Sequence, residues 1–214
     1  MAPLEASDVV YFSSGAGVYV LSNLTSCKLD LDGFEWTSLE HWYQAFKFVP
    51  KDRRRFAKGG DLANLDAFRL HRGVFVKKDK EERSIKHWGA NTRKPEMVGI
   101  VAKMASNPSR AQRLGLQMLP KQGETEDRIP EMTELFKRGL HAKFAQNPEM
   151  RAALLATGNK QLVEFGRGAG RETKLGRPPL WNGLWDYDTK EVVGRNLMGK
   201  IMTAVRAELS ASAA

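Results

Sequence analysis

The stretch from Thr37 to Phe48, T-S-L-E-H-W-Y-Q-A-F-K-F, most constrains what this chain can fold into. At roughly 3.6 residues per turn, a helix here places Leu39, Trp42, Phe46 and, just beyond it, Val49 at spacings of three and four, an apolar stripe suited to a core. Glu40, Gln44 and Lys47 then fall at i, i+4 and i+7, so a carboxyl, an amide and an amine share a neighbouring strip that could floor a pocket. Each polar residue also has a structural reading. Thr37 and Glu40 match a capping box, in which hydroxyl and carboxyl each accept an orphan backbone N–H at the helix start. Lys47 can be a solvated lysine whose stem covers a neighbour. His41 points away from Glu40, which suits a surface histidine or one hydrogen-bonded in the core.

The 214 residues fit one domain, with a core expected over 9–207 and a polar tail at 208–214. No apolar run approaches the roughly 20 residues that span a bilayer. The N-terminus, M-A-P-L-E-A-S-D, lacks a basic segment followed by an apolar one, so a cytoplasmic or nuclear location away from membranes is expected. The single cysteine, Cys27, excludes an internal disulfide. Histidines at only 41, 71, 87 and 141 form no metal-ligand pattern, so neither a metal nor another cofactor is expected. Lysine and arginine total 34 against 25 acids, a net charge of +9, which favours phosphate-bearing or polyanionic partners without identifying them. The charge clusters at 51–55, 77–83 and 167–177 can equally be solvated faces.

Along the chain, 9–12 and 18–24 read as short strands, and 28–36 as a β-hairpin turning at Asp32-Gly33. Helical spacing marks 51–73, 95–105 and 109–118. The polar stretch 120–130 reads as an exposed loop in an insertion covering 93–130. Pro130 suits a first helical turn, and Met132, Leu135, Phe136, Leu140 and Phe144 mark an amphipathic helix ending at Asn147-Pro148. A second helix runs from 149 to 156 and closes at Gly158. Residues 160–165 read as a strand. The following G-R-G-A-G-R segment, 166–171, lacks the spacing of a known nucleotide loop. Trp181 and Trp185 are either core or a stacking surface for a base. Gly194 and Gly199 suit a turn into a final helix whose N-terminal N–H groups could face an anion.

Five motifs in series, from about residue 10 to residue 206, resemble the NADAR family. They are Ser22-Asn23-Leu24 followed by the run from Trp36 to Phe48, then Ala142 to Asn147, Leu154 to Gly158, Leu162 to Glu164, and Gly194 to Gly199 with Met202 and Arg206. The resemblance implies a mainly helical α+β fold with a small N-terminal hairpin or sheet. It also implies N-glycosidase activity linked to NAD and ADP-ribose metabolism. One branch of the family resembles the bacterial YbiA-type enzymes, which hydrolyse phosphorylated riboflavin-pathway intermediates; another removes ADP-ribose from guanine in nucleic acid. Family members usually carry a tryptophan about two turns before A-x-K-F and an aspartate three residues before a Trp-Gly pair. Here the polar loop around Arg128 and Pro178 occupy those places, leaving Trp88 and Asp186 as the residues that could substitute.

Cleaving an N-glycosidic bond requires a proton for the departing base and stabilisation of positive charge at the anomeric carbon. Glu40 is the expected general acid and base. Lys47 is expected either to act electrostatically beside Glu40 or, the favoured role, to attack the sugar carbon and form a Schiff base. Ser22, Asn23, Gln44, Gly194 and Asn196 are candidate contacts to ribose or phosphate, and Trp36, Tyr43 and Trp88 candidates for stacking on a base. The expected substrate is an ADP-ribosylated nucleic acid, guanine being the aglycone, or an ADP-ribose-like small molecule. The alternatives are a riboflavin-intermediate glycosidase and a non-catalytic binding module.

Overall fold

The computed structural model describes residues 6–13, 17–63, 99–119, 126–166 and 168–212. Their elements, in chain order, are β1 (Val9–Phe12), β2 (Leu29–Leu31), β3 (Phe34–Trp36), α1 (Leu39–Ala45), α2 (Pro50–Arg53), α3 (Gly99–Ala105), α4 (Pro108–Arg113), α5 (Ile129–Gln146), α6 (Pro148–Leu155), β4 (Gln161–Glu164), α7 (Ala169–Lys174), β5 (Leu184–Asp186), β6 (Glu191–Val193) and α8 (Leu197–Ala211). The architecture is mainly helical α+β with three two-stranded sheets among the described residues. Trp88, the charged run at 77–83 and residues 64–73 of the helix expected at 51–73 lie outside the described residues; the described part of that segment is helical only over Pro50–Arg53 and continues as turns through residue 63. The chain forms two compact units, residues 1–25 with 124–214, and residues 26–123.

In the first unit, β1 pairs in parallel with β4, Val10 opposite Leu162, and α8 lies across β4. Gly199 makes that approach possible, because a Cβ there would sit 2.2 Å from the Leu162 carbonyl oxygen. The apolar face of α5, with Met132, Phe136, Leu140 and Phe144 buried, packs against α8, where Met198, Ile201, Met202 and Val205 are buried. The tail expected from residue 208 begins inside this helix, since α8 continues to Ala211 with Leu209 buried. Residues 18–24 do not form the expected strand. They make a 3-10 turn at Tyr19–Leu21, because side chains take the carbonyls a neighbouring strand would have used: Thr25 Oγ1 donates to Tyr19 O at 2.5 Å, and Lys143 Nζ to Val20 O and Ser22 O.

In the second unit, β2 and β3 form the hairpin expected at Asp32-Gly33, both residues having positive φ (57° and 78°) as a two-residue primed turn demands. Trp42 Nε1 donates to Asp32 Oδ2 at 2.8 Å, tying α1 to that turn. Helix α1 packs on α3 and is shorter than the expected 37–48, ending at Ala45 with Phe46 as its cap. Leu39, Trp42 and Ala45 make its buried face, while Phe46 lies under the Arg53 guanidinium, 3.6 Å from its ring centroid. Arg55 bonds Asp61 and Leu114 O, so the basic cluster at 51–55 is partly structural rather than a solvated face.

His41 is fully buried. Its Nε2–H donates to Phe56 O at 2.7 Å and its Nδ1 lies 3.1 Å from the Thr37 hydroxyl. Burial lowers its pKa from 6.5 to about 4, so the ring is neutral at physiological pH. Between those two values the unfolded chain binds a proton that the folded chain refuses. This contribution to stability is therefore complete above pH 6.5 and is lost as pH falls toward 4. Urea unfolding at pH 7 and pH 4 should show a fall on the order of 3 kcal/mol that His41→Gln does not share.

Candidate functional site

Ser38, not Thr37, caps α1: its hydroxyl accepts from His41 N at 3.1 Å. Glu40 is thereby released from the capping box and sits in the first turn, half-buried, with its carboxylate accepting from Gln44 Nε2 at 2.7 Å. Gln44 itself is buried, and its Oε1 is shielded from solvent without a hydrogen-bond partner among the described residues. A buried acceptor left unpaired costs about 1–3 kcal/mol, which a ligand bringing an N–H or O–H would recover. The one-turn spacing expected between Glu40 and Gln44 is thus realised as a direct bond.

Lys47 lies two residues past the helix, so the three-residue strip is not continuous. Its backbone N–H reaches Gln44 O at 3.4 Å, and its carbonyl accepts from Leu119 N at 2.9 Å beside the bridge between Phe48 and Met118. The ammonium stands 5.4 Å from the centroid of the half-buried Tyr43 ring, a cation–π contact that stabilises the charged amine. Trp36, expected as a stacking surface, belongs to the core instead. It is 2% exposed, its indole N–H is taken by Leu31 O at 2.9 Å, and its ring meets His41 edge to face. It offers no face to a base.

In the first unit, the Ser22-Asn23 loop is held by a residue to which the sequence reading gave no role. Lys143 is fully buried in α5, with Nζ 2.8 Å from Ser22 O and 3.2 Å from Val20 O. The signal was present: a lysine between Leu140 and Phe144 on an apolar helix face has to find acceptors inside the protein. Ser22 Oγ accepts from Leu24 N, which tightens the loop. Asn23 is buried, and its Oδ1, like Gln44 Oε1, has no partner among the described residues. The Thr157 and Arg206 motifs meet each other, Arg206 Nη1 donating to Thr157 Oγ1 at 2.7 Å.

Asn196 is committed elsewhere. Its side chain accepts from Glu164 N at 3.1 Å and donates to Leu162 O at 2.9 Å, clamping the start of α8 to β4. Gly194 serves the backbone, because a Cβ there would fall 2.6 Å from Asn182 O at a φ of +86°. The first N–H groups of α8 do not face an anion either: Leu197 N and Met198 N donate to Leu180 O and Trp181 O. Asp186, the possible substitute acid, holds its own turn, Oδ1 accepting from Asp188 N and Thr189 N, and those bonds depress its pKa. Trp185 is buried, whereas Trp181 is half-buried, with its ring 5.1 Å from that of Phe136.

A model of the NADAR domain family matches residues 84–210, more than half of the chain. The NMR structure of the Escherichia coli protein YbiA aligns with 98% of this chain and 89% of its own, with a TM-score of 0.51 and 21% identity, a likeness of fold. No curated protein sequence matches. No described helix is long and apolar enough to cross a membrane.

If Asn196 is a clamp, its loss should appear in stability. Asn196→Ala should lower the free energy of urea unfolding by about 2–4 kcal/mol, from two lost buried bonds and an Ala forced to positive φ. Asn196→Gly, which accepts the observed φ of 49°, should be milder by about 1 kcal/mol.

Proposed function

The chain belongs to the NADAR domain family, which includes N-glycosidases, and we propose that it hydrolyses the N-glycosidic bond of an ADP-ribosyl adduct whose aglycone is guanine in nucleic acid. The observation that carries the reading is the Glu40–Gln44 pair: a half-buried carboxylate oriented by an amide whose own carbonyl has no partner among the described residues. A residue that served only folding would gain nothing from that unsatisfied acceptor. One that holds a substrate hydroxyl or base N–H would gain contact energy on binding.

In the proposed reaction, Glu40 takes a proton from water as the water oxygen bonds to the anomeric carbon. The bond from that carbon to the base nitrogen breaks, leaving its electron pair on the base, and Glu40 returns the proton to the base. Donation from Gln44 Nε2 orients the carboxylate that begins this sequence. Of the two roles expected for Lys47, we take the electrostatic one, its Nζ resting 5.4 Å from the Tyr43 ring centroid in a cation–π contact. The net charge of +9 suits a polyanionic substrate better than a small neutral one.

The native protein should release ADP-ribose from an oligonucleotide carrying ADP-ribosylated guanine, followed by mass, and Glu40→Gln should be slower by a few hundred-fold or more. No release from the native protein, with phosphorylated riboflavin intermediates cleaved instead, would move the aglycone to the other branch. Substrate binding that Glu40→Gln leaves intact, without turnover by either protein, would make it a binding module. Gln44→Leu separates function from folding: activity should drop about ten-fold or more while stability stays level or rises. Borohydride added during turnover should trap no protein–sugar adduct. An adduct that disappears in Lys47→Ala would restore the covalent role.

A further inference from the structure

A groove of about 590 Å³ runs in the first unit between α7 and the β5–β6 hairpin. The hairpin sets Leu184 opposite Val193 along one side, and Gly170 lets α7 pack against them, a Cβ there lying 3.8 Å from Leu184. Tyr187 on the hairpin and Leu175 at the end of α7 are the large hydrophobics left open to solvent among the described residues, 69% and 54% exposed. Two such side chains in one groove are what a protein–protein contact uses as anchors. The charges of the groove are sorted by wall. Arg171 and Lys174 stand three residues apart on one face of α7, both exposed, whereas Asp186 and Asp188 belong to the hairpin. Glu172 turns aside, its carboxylate 3.6 Å from where a Cβ on Gly168 would stand. Asp186 is kept ionised by the N–H groups of Thr189 and Asp188, and Lys174 adds to the effect from the other wall. Even so, no ion pair among the described residues joins the two walls.

With two cations on one wall and two carboxylates on the other, the groove has no net charge with which to select an anion or a cation. Its complement is a surface that carries the same pattern reversed, and two-fold rotation of the groove itself supplies one. We propose that this groove is a self-association surface, docking onto the same groove of a second copy of this chain about a two-fold axis that runs along it. That axis lays α7 of each copy over the hairpin of the other, so that Arg171 and Lys174 meet the second copy's Asp186 and Asp188, twice over. An axis across the groove would instead set α7 on α7 and place cation against cation, an arrangement that like-charge repulsion opposes. Tyr187 and Leu175 then leave water between two charged rims, an apolar centre inside a polar edge. A patch this small gives a weak dimer, with a Kd on the order of ten micromolar or above. The surface takes no part in the chemistry proposed for Glu40.

Sedimentation velocity of the full-length protein, over about 1 to 500 µM and at low and high salt, tests this without any substrate, so the glycosidase reading does not enter. The mean mass of the native chain should climb with concentration from 24.0 kDa toward twice that value, and less steeply in high salt. Each substitution counts twice in a two-fold interface. Lys174→Glu should therefore raise the dissociation constant about ten-fold or more, and Tyr187→Ala by a similar factor. The double variant Lys174→Glu/Asp188→Lys exchanges charge between the walls and should bring association back toward the native level. Lys174→Glu/Glu149→Lys has the same net charge, but its compensating lysine stands on α6 outside the groove, and it should stay as weak as Lys174→Glu alone. A native chain that stays monomeric throughout overturns the proposal and leaves the groove to a partner of different sequence. A dimer that Lys174→Glu and Tyr187→Ala leave intact also overturns it, because the copies then meet through another face. So does a double variant with exchanged charges that fails to regain association, or equal recovery in the Glu149→Lys combination.

Discussion

Lys143 brings an ammonium into the interior of the first unit and settles it on the backbone carbonyls of residues 20 and 22, more than a hundred positions earlier in the chain. Much of that unit follows from this contact. A buried ammonium is tolerable only with good acceptors around it, and carbonyls are free to serve only where they are not used in a ladder. That condition selects a turn over a strand for 18–24 and fixes Ser22 and Asn23 against α5. Asn147, donating to Lys143 O at 2.6 Å, secures the same stretch where α5 gives way to α6. The segment from Ala142 to Asn147 is thus a brace for a distant loop.

Among the described residues, three buried side-chain amide oxygens are left without a partner, Gln44 Oε1 in the second unit and Asn23 Oδ1 and Gln161 Oε1 in the first. Folded proteins satisfy nearly all such groups, so the occurrence of two of the three on residues singled out by sequence pattern is informative. Asn196, with the same side-chain chemistry and comparable burial, has both its atoms bonded to β4. The contrast separates an amide that builds the fold from one held ready for something else. A stability optimum would replace Gln44 with an apolar residue; its retention fits a site that gives up stability for function.

Legibility in the sequence followed the kind of signal. The β2–β3 turn was readable because Asp-Gly between alternating residues demands positive φ, and α5 because Pro130 and a 3.6-residue period agree on its start and face. The stretch 18–24 misled because its apolar run fits a strand, while the residues that satisfy its carbonyls otherwise, Thr25 and Lys143, lie outside it. Side-chain amides were the hardest. Composition and spacing locate Gln44 and Asn196 equally well, but whether an amide meets backbone or a ligand is decided by what a different element brings to it. The Glu40–Gln44 pairing was legible for the opposite reason, both partners standing on one short helix.

The parallel pairing of β1 with β4 joins residues 9–12 to residues 161–164. Everything in the second unit is encoded between those two strands. On a ribosome adding about 5–20 residues per second, β1 emerges and then waits on the order of ten seconds for its partner. Residues 26–123 are contiguous and can close their own contacts during that interval. The order of synthesis therefore sets the order of assembly, with the hairpin, α1 and its carboxylate formed before the N-terminal strand has a neighbour to pair with.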